Sequence, residues 1–230
     1  MALDTIISIS DASIFQADNL ILSDVNLTVE KGEFIYVIGK VGSGKTSLIK
    51  TITAEIPLAI GEGTVAGYDL KKLKRKQVPF LRRKIGIVFQ DFQLLSDRSV
   101  YDNLLFVLKS TGWKNKQDIK QRINDVLDKV GLKYMDFKMP HQLSGNYHAL
   151  LNDPEIILAD EPTGNLDPET SEDIVRLLWD ISASGRAVIM ATHNYGLLKK
   201  FPSRTLRCEK GKLNETQQMS EIDFQSLMEM

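Results

Sequence analysis

The chain lacks most of what marks a secreted, membrane-spanning or nucleic-acid-coating protein. It has one cysteine, Cys208, in 230 residues, which excludes an internal disulfide framework and suits a reducing compartment. No apolar run approaches the roughly 18 residues that a membrane-crossing helix needs. The stretch Leu104-Leu105-Phe106-Val107-Leu108 ends almost at once, so the chain is not expected to cross a membrane by itself. Asp4 interrupts the N-terminus and no long apolar core follows, so no secretory signal is expected. Neither sign of charge is in excess. The 29 Lys and Arg against 30 Asp and Glu give no bulk basic balance, and no nucleic-acid partner is expected. Repeats, low-complexity tracts and obvious linkers are also missing. Apolar side chain is plentiful: at 43% of 230 residues it suffices for the core of a single domain spanning 1–230.

One segment carries chemistry without help. Gly39-Lys40-Val41-Gly42-Ser43-Gly44-Lys45-Thr46 is a complete G-x-x-x-x-G-K-T phosphate loop. It follows the apolar run Phe34-Ile35-Tyr36-Val37-Ile38 and precedes the helix-like Ser47-Leu48-Ile49-Lys50-Thr51. That context gives the motif its mechanism. The glycines let backbone N–H groups turn inward around a polyphosphate, and the following helix adds its positive N-terminal end. Lys45 reaches the terminal phosphates and the Thr46 hydroxyl ligates Mg²⁺.

The rest of the pattern places further groups around that loop. Short strands are expected at Ile6 to Ile9 and at Asn26 to Val29. After a turn at Gly61-Glu62-Gly63, Thr64 to Ala66 reads as an edge strand, and Ile85 to Phe89 as another short strand. Residues 99–110 and 117–131 have helical periodicity, with Gly131 closing the second. Ile156 to Ala159 and Ala187 to Ala191 are continuous apolar runs, as parallel strands covered on both faces should be. Glu169 to Ser184 is the crossover helix between them. The tail 214–230 is polar and reads as a loosely docked helix.

A buried strand ending in Asp160-Glu161 delivers two carboxylates to the ligand edge of a parallel sheet, beside the phosphate loop. Asp160 then holds Mg²⁺, directly or through water. Glu161 orients and deprotonates the attacking water. His193, in Thr192-His193-Asn194 after the next strand, contacts the γ-phosphate. Gln90 ends a third strand and completes the Mg²⁺ and water shell. The alternative for Asp160 and Glu161 is a solvated strand end and for His193 a structural histidine, while a glutamine such as Gln90 is common at strand ends.

These residues together resemble a family. The phosphate loop, Gln90, Leu143-Ser144-Gly145, Asp160-Glu161, Gly164-Asn165-Leu166-Asp167 and His193 occur in the order of ABC-type ATPase subunits, over essentially the whole chain. The resemblance implies an α/β fold: a P-loop NTPase core with a parallel sheet, a small antiparallel β subdomain and a helical subdomain near residues 92–150. It implies ATP and Mg²⁺ as ligands, ATP hydrolysis, and phosphate contacts running from Gly39 to Ser47. Phe15 stands where the family stacks an aromatic on adenine. Leu143, Ser144, Gly145 and Asp167 act across a homodimer on the partner's nucleotide.

The stretches 159–167 and 89–103 are most similar to the FtsE-like cell-division members, which pair under an FtsX-like integral membrane permease on the cytoplasmic face of the bacterial inner membrane. A lipoprotein-releasing or macrolide-type exporter ATPase is the alternative branch.

Against the family pattern, about seven residues are missing after Gly145, where Asn146-Tyr147-His148 leads directly to Ala149-Leu150-Leu151-Asn152-Asp153-Pro154. Seven residues are about 10 Å of helix, so the signature loop should reach its target poorly. Weak hydrolysis, or a hydrolysis-deficient nucleotide-binding regulatory subunit, follows as an expectation. Two weaker signals remain. Lys71-Lys72-Leu73-Lys74-Arg75-Lys76 with Arg82-Arg83-Lys84 is a basic stretch, read as a solvated face or as a contact with anionic lipid. Phe92, Leu94, Leu95 and Tyr101 offer a groove for a helix of a membrane partner, or ordinary packing. Trp113 and Trp179 are expected to pack, and His141 and His148 lack metal-ligand spacing.

Overall fold

A computed structural model describes residues 4–89, 95, 97–129, 132–139, 151–164 and 166–216. Ten strands and six helices are assigned among them. β1 (Thr5–Gln16), β2 (Asn19–Glu30), β4 (Ile60–Val65) and β5 (Tyr68–Asp69) form an antiparallel sheet in the order β2-β1-β4-β5. β6 (Ile85–Phe89), β7 (Ile156–Asp160), β8 (Ala187–Thr192), β3 (Phe34–Ile38), β9 (Arg204–Glu209) and β10 (Lys212–Thr216) form the second sheet, order β10-β9-β3-β8-β7-β6. It is parallel from β9 to β6, and only β10 runs antiparallel.

The continuous apolar runs do what two covered faces require. Along β3, Ile35 and Val37 enter one core, shared with β1, β2 and α1 (Lys45–Ile52). Phe34, Tyr36 and Ile38 enter the other. That second core is closed by α3 (Val100–Ser110), α4 (Lys116–Lys129) and α5 (Pro168–Ala183). The period-2 alternation of side chains along a strand thus divides one pentapeptide between two layers. Trp179 packs beside Phe34 at 5.3 Å and Phe201 at 6.3 Å between ring centroids. Trp113 packs against the same core, so both tryptophans are packing residues as expected.

Several boundaries differ from the sequence reading. β1 and β2 are each 12 residues, far longer than the tetrapeptides expected. Register shifts and left-handed residues at Asp11 and Asp24 interrupt their alternation, so the pattern looks shorter than the strand. Gly61-Glu62-Gly63 is not a turn but the middle of β4, which is flanked by β1 and β5 and is no edge strand. A Cβ on Gly61 would lie 2.5 Å from the Ala12 Cα, so that glycine permits close strand approach rather than chain reversal. Residues 214–216 belong to β10, not to a helical tail. Residues 217–230 lie outside the described residues. α4 runs Lys116–Lys129, and the expected closure at Gly131 also lies outside them.

Candidate functional site

The parallel sheet brings four strand ends to one edge. Register pairs Phe89 with Asp160, Asp160 with Ala191, and Ile38 with Thr192. The residues that follow β3, β7 and β8 therefore emerge side by side, as ligand-binding residues do at the carboxyl edge of such sheets.

After β3, Gly39 has φ 150°, and a Cβ there would lie 2.5 Å from the Cys208 carbonyl oxygen and 2.6 Å from Ser43 Oγ. Only glycine lets the loop leave the strand this close to β9. Gly44, at φ 108°, caps α1 with no side chain, which leaves the first-turn N–H groups of α1 without a side-chain cap. Lys45 is buried at 6% exposure. Its Nζ donates to the carbonyls of Gly39 at 2.7 Å and Lys40 at 3.2 Å.

Glu161, just past β7, has φ 51°, a strained left-handed conformation for a residue with a side chain. Its own N–H donates to Ala191 O at 2.9 Å, and its carbonyl accepts from Gly164 N at 3.1 Å. That turn aims the carboxylate between two partners. Oε1 lies 3.3 Å from Lys45 Nζ, and Oε2 lies 2.8 Å from His193 Nδ1. The His193 backbone N–H also donates to Oε2 at 3.2 Å. Thr192 and Asn194 fix the corner: Asn194 N donates to Thr192 Oγ1, and Asn194 Oδ1 accepts from Gly196 N, capping α6 (Tyr195–Lys200).

Asp160 sits deeper. Burial pushes its carboxyl above the usual carboxylate range, opposed by the Thr46 side chain within hydrogen-bonding reach and by Lys45. Its Oδ1 is buried with no hydrogen-bond partner among the described residues, as is Ser43 Oγ. A carboxylate oxygen left bare beside a hydroxyl is a hard-oxygen donor set that fits a magnesium ion. No cluster of three or more His, Cys, Asp or Glu suited to a metal occurs among the described residues.

Two clefts meet at Gln16. One, of about 190 Å³, is lined by Gln16, Ile21, Gly42, Gly44, Lys45, Thr46, Ser47 and Lys50. The other, of about 620 Å³, holds half-buried Phe15 together with Gln16, Ile56, Pro57 and Ile60. Gln16 walls both, so the cleft that holds Phe15 adjoins the one that opens on the loop. Val41, at the tip of the loop, is 90% exposed. Asp167 caps α5, accepting from Thr170 N at 3.0 Å and lying 2.6 Å from Thr170 Oγ1, which holds its carboxyl below the usual range. Gln90, Leu143, Ser144 and Gly145 lie outside the described residues, as do Phe92, Leu94, Asn165, His141 and His148.

Sequence reasoning missed Gln16 and Asn103. Asn103 is 4% exposed on α3. Its Oδ1 accepts from Leu95 N at 2.9 Å, while Nδ2 donates to the carbonyls of Leu95 (3.0 Å), Arg98 (3.3 Å) and Ser99 (3.0 Å). It ties Leu95 and Arg98 to α3; Leu95 is 39% and Phe106 50% exposed. The available signal was the cap Ser99-x-x-Asp102, in which Ser99 Oγ accepts from Asp102 N, with an asparagine immediately after it.

Comparison with known proteins agrees with this geometry. Residues 22–164 match the family described as ABC transporter. The cell division ATP-binding protein FtsE of Streptococcus pneumoniae (serotype 2, strain D39) is 38% identical over 210 residues, 88% of this chain and 91% of that protein. FtsE of Bacillus subtilis (strain 168) is 40% identical over 197 residues, covering 83% and 86%. Among solved structures, a dimeric post-hydrolysis state of the ATP-binding cassette MJ0796 bound to ADP and Pi matches with a TM-score of 0.78 at 28% identity, covering 91% of this chain and 97% of that one.

Proposed function

The chain belongs to the ABC transporter family as an ATPase subunit, and from that premise we propose that it works in bacterial cell division, as a homodimer docked beneath an FtsX-like integral membrane partner at the cytoplasmic face of the inner membrane. The division role rests on its likeness to the FtsE proteins of several bacteria. No helix among the described residues is long and apolar enough to cross a membrane. Membrane attachment would therefore come through a partner or a surface.

The observation that carries the mechanism is the Glu161 carboxylate held between Lys45 and His193. Without nucleotide, Lys45 is satisfied by two loop carbonyls and by Glu161. The β- and γ-phosphates of ATP displace those carbonyls and take the ammonium, while the loop amides from Gly39 to Ser47 cradle the phosphate oxygens. Glu161, released on one side and still anchored to His193 on the other, accepts the proton of the attacking water. His193 then faces the γ-phosphate. Phe15 stacks the adenine in the cleft it shares with Gln16. Thr46 and Asp160, with Gln90, would hold Mg²⁺, whose chemistry there is neutralising phosphate charge. Leu143, Ser144, Gly145 and Asp167 serve the partner subunit's nucleotide. Leu95 and Phe106, both exposed, form part of the face that meets the membrane partner.

Glu161→Gln is the test. Phosphate release should fall about 10²–10⁴-fold while ATP binding persists; full turnover would overturn the assignment.

A second reading is favoured by one set of contacts. Arg122 Nε donates to the Leu151 carbonyl at 2.7 Å, Thr111 Oγ1 donates to Asn152 Oδ1 at 3.0 Å, and Arg186 pairs with Asp153. Residues 151–153 are thus held by the end of α3, α4 and the α5–β8 loop. On this reading the shortening of the sequence after Gly145 makes turnover in this chain slow.

A further inference from the structure

The nucleotide site leaves unexplained the basic segment that crosses from β5 to β6. Between Leu70 and Phe89 there are eight Lys and Arg and no Asp or Glu. Without those eight, 21 basic residues stand against 30 acidic ones, so the rest of the chain carries −9 while the whole carries −1. The charge of the molecule is therefore strongly asymmetric, although its sum is not.

Five of the eight are engaged. Lys71 Nζ donates to Gly61 O, Lys72 pairs with Asp69, Arg82 Nε donates to Thr53 O, Lys84 pairs with Glu155, and the Arg83 guanidinium lies 5.2 Å from the Phe80 ring centroid. Lys74, Arg75 and Lys76 are different. All three are exposed, and among the described residues their side chains make no hydrogen bond or ion pair. Three adjacent like charges repel one another. Immediately after them comes α2 (Val78–Arg83). Leu81 plugs this short helix into the core at 0% exposure, while Phe80 turns outward at 53%. A bare cationic triplet beside an outward aromatic, flanked by Arg83, matches the chemistry of a bilayer interface: phosphate outside, apolar edge just within.

We propose that this face, Lys74-Arg75-Lys76 with Phe80 and Arg83, binds an anionic lipid surface directly, independently of nucleotide and of any membrane partner. A planar bilayer needs only one cationic face. A nucleic acid long enough to wrap would meet the −9 remainder, which disfavours it. Each basic residue close to an anionic surface contributes about 1 kcal/mol, or about fivefold in partitioning, screened within a Debye length of about 10 Å at 0.1 M salt.

Flotation of the purified full chain with vesicles of phosphatidylcholine and phosphatidylglycerol (3:1) tests this, without nucleotide. Binding is expected at 50 mM NaCl, to weaken severalfold at 300 mM, and to be absent on pure phosphatidylcholine. The triple variant K74Q/R75Q/K76Q should lose binding by up to about 100-fold at low salt, whereas K74R/R75K/K76R should keep it. Phe80→Ala should lower it severalfold without altering its salt dependence. Circular dichroism confirms that each variant is folded, and ATP turnover of the triple variant should equal that of the wild type, separating this face from the nucleotide site. Unchanged flotation of the triple variant, equal binding to neutral vesicles, or preferential binding to duplex DNA would each overturn the proposal.

Discussion

Asp160→Asn separates two effects that one carboxylate imposes at the same place. In the nucleotide-free chain Asp160 is a half-buried acid with one bare oxygen, its carboxyl raised by burial and, secondarily, by Glu161. An unsatisfied buried group costs about 1–3 kcal/mol. Asparagine removes the charge but leaves a polar amide, so a net gain of about 1 kcal/mol is expected. For a chain of this size that is about 2–4 °C in melting temperature.

The pH dependence has a definite sign. The folded chain holds the Asp160 proton more tightly than the unfolded chain. The wild type therefore loses ground to the variant as pH rises through the raised pKa, and the gap closes as pH falls toward 4. Nucleotide reverses the order. At about 100 times its dissociation constant Mg-ATP should stabilise the wild type by about 2.7 kcal/mol, raising its melting temperature by about 5–10 °C. The variant should gain no more with magnesium than with EDTA. Differential scanning fluorimetry across pH, with ATP plus Mg²⁺ or plus EDTA, reads both arms. A variant that melts below the wild type without nucleotide, or that keeps the full magnesium-dependent gain, would show that Asp160 does not play this part.

Three other outcomes are expected. Asn103→Ala strands the Leu95 amide and carbonyl and should cost about 2–3 kcal/mol in urea unfolding; a loss under 0.5 kcal/mol would mean those bonds are not held in solution. Cys208, 2% exposed with its thiol pushed up to about 11 by burial, should resist a disulfide reagent at pH 8 and react at once in urea; rapid labelling of the native chain would contradict its place in β9. Restoring seven helical residues after Gly145 should raise ATP turnover, and equal rates would dispose of the slow-turnover reading.

How much of this could be read beforehand differs from place to place for physical reasons. The phosphate loop, β3, β7 and β8 were plain because a strand buried on both faces is a continuous apolar run with a sharp end, and the chemistry starts at that end. The same rule placed Asp160, Glu161 and His193 at one edge. It could not give the Lys45–Glu161–His193 bridge, which depends on the left-handed turn at Glu161, a conformation that a glutamate does not advertise. β9 and β10 were missed because Arg204, Arg207 and Glu215 place charges at partly exposed positions of short strands, and cross-strand pairs such as Arg204–Glu215 hold them. Gly61 was misread because glycine signals both turns and close strand approach, and only the neighbouring strand distinguishes them. The role of Asn103 was harder to read: the Ser99-x-x-Asp102 cap beside it marks a helix start, but its four partners are backbone groups, which a sequence does not specify.

We propose that the loop from Gly39 to Ser47, with Lys45, grips a nucleotide whose hydrolysis Glu161 drives. Isothermal titration of the purified wild-type chain with Mg-ATP tests this most directly. One saturable site per chain is expected, with heat that disappears in Lys45→Ala. A folded wild-type sample giving no heat at millimolar Mg-ATP would contradict the account.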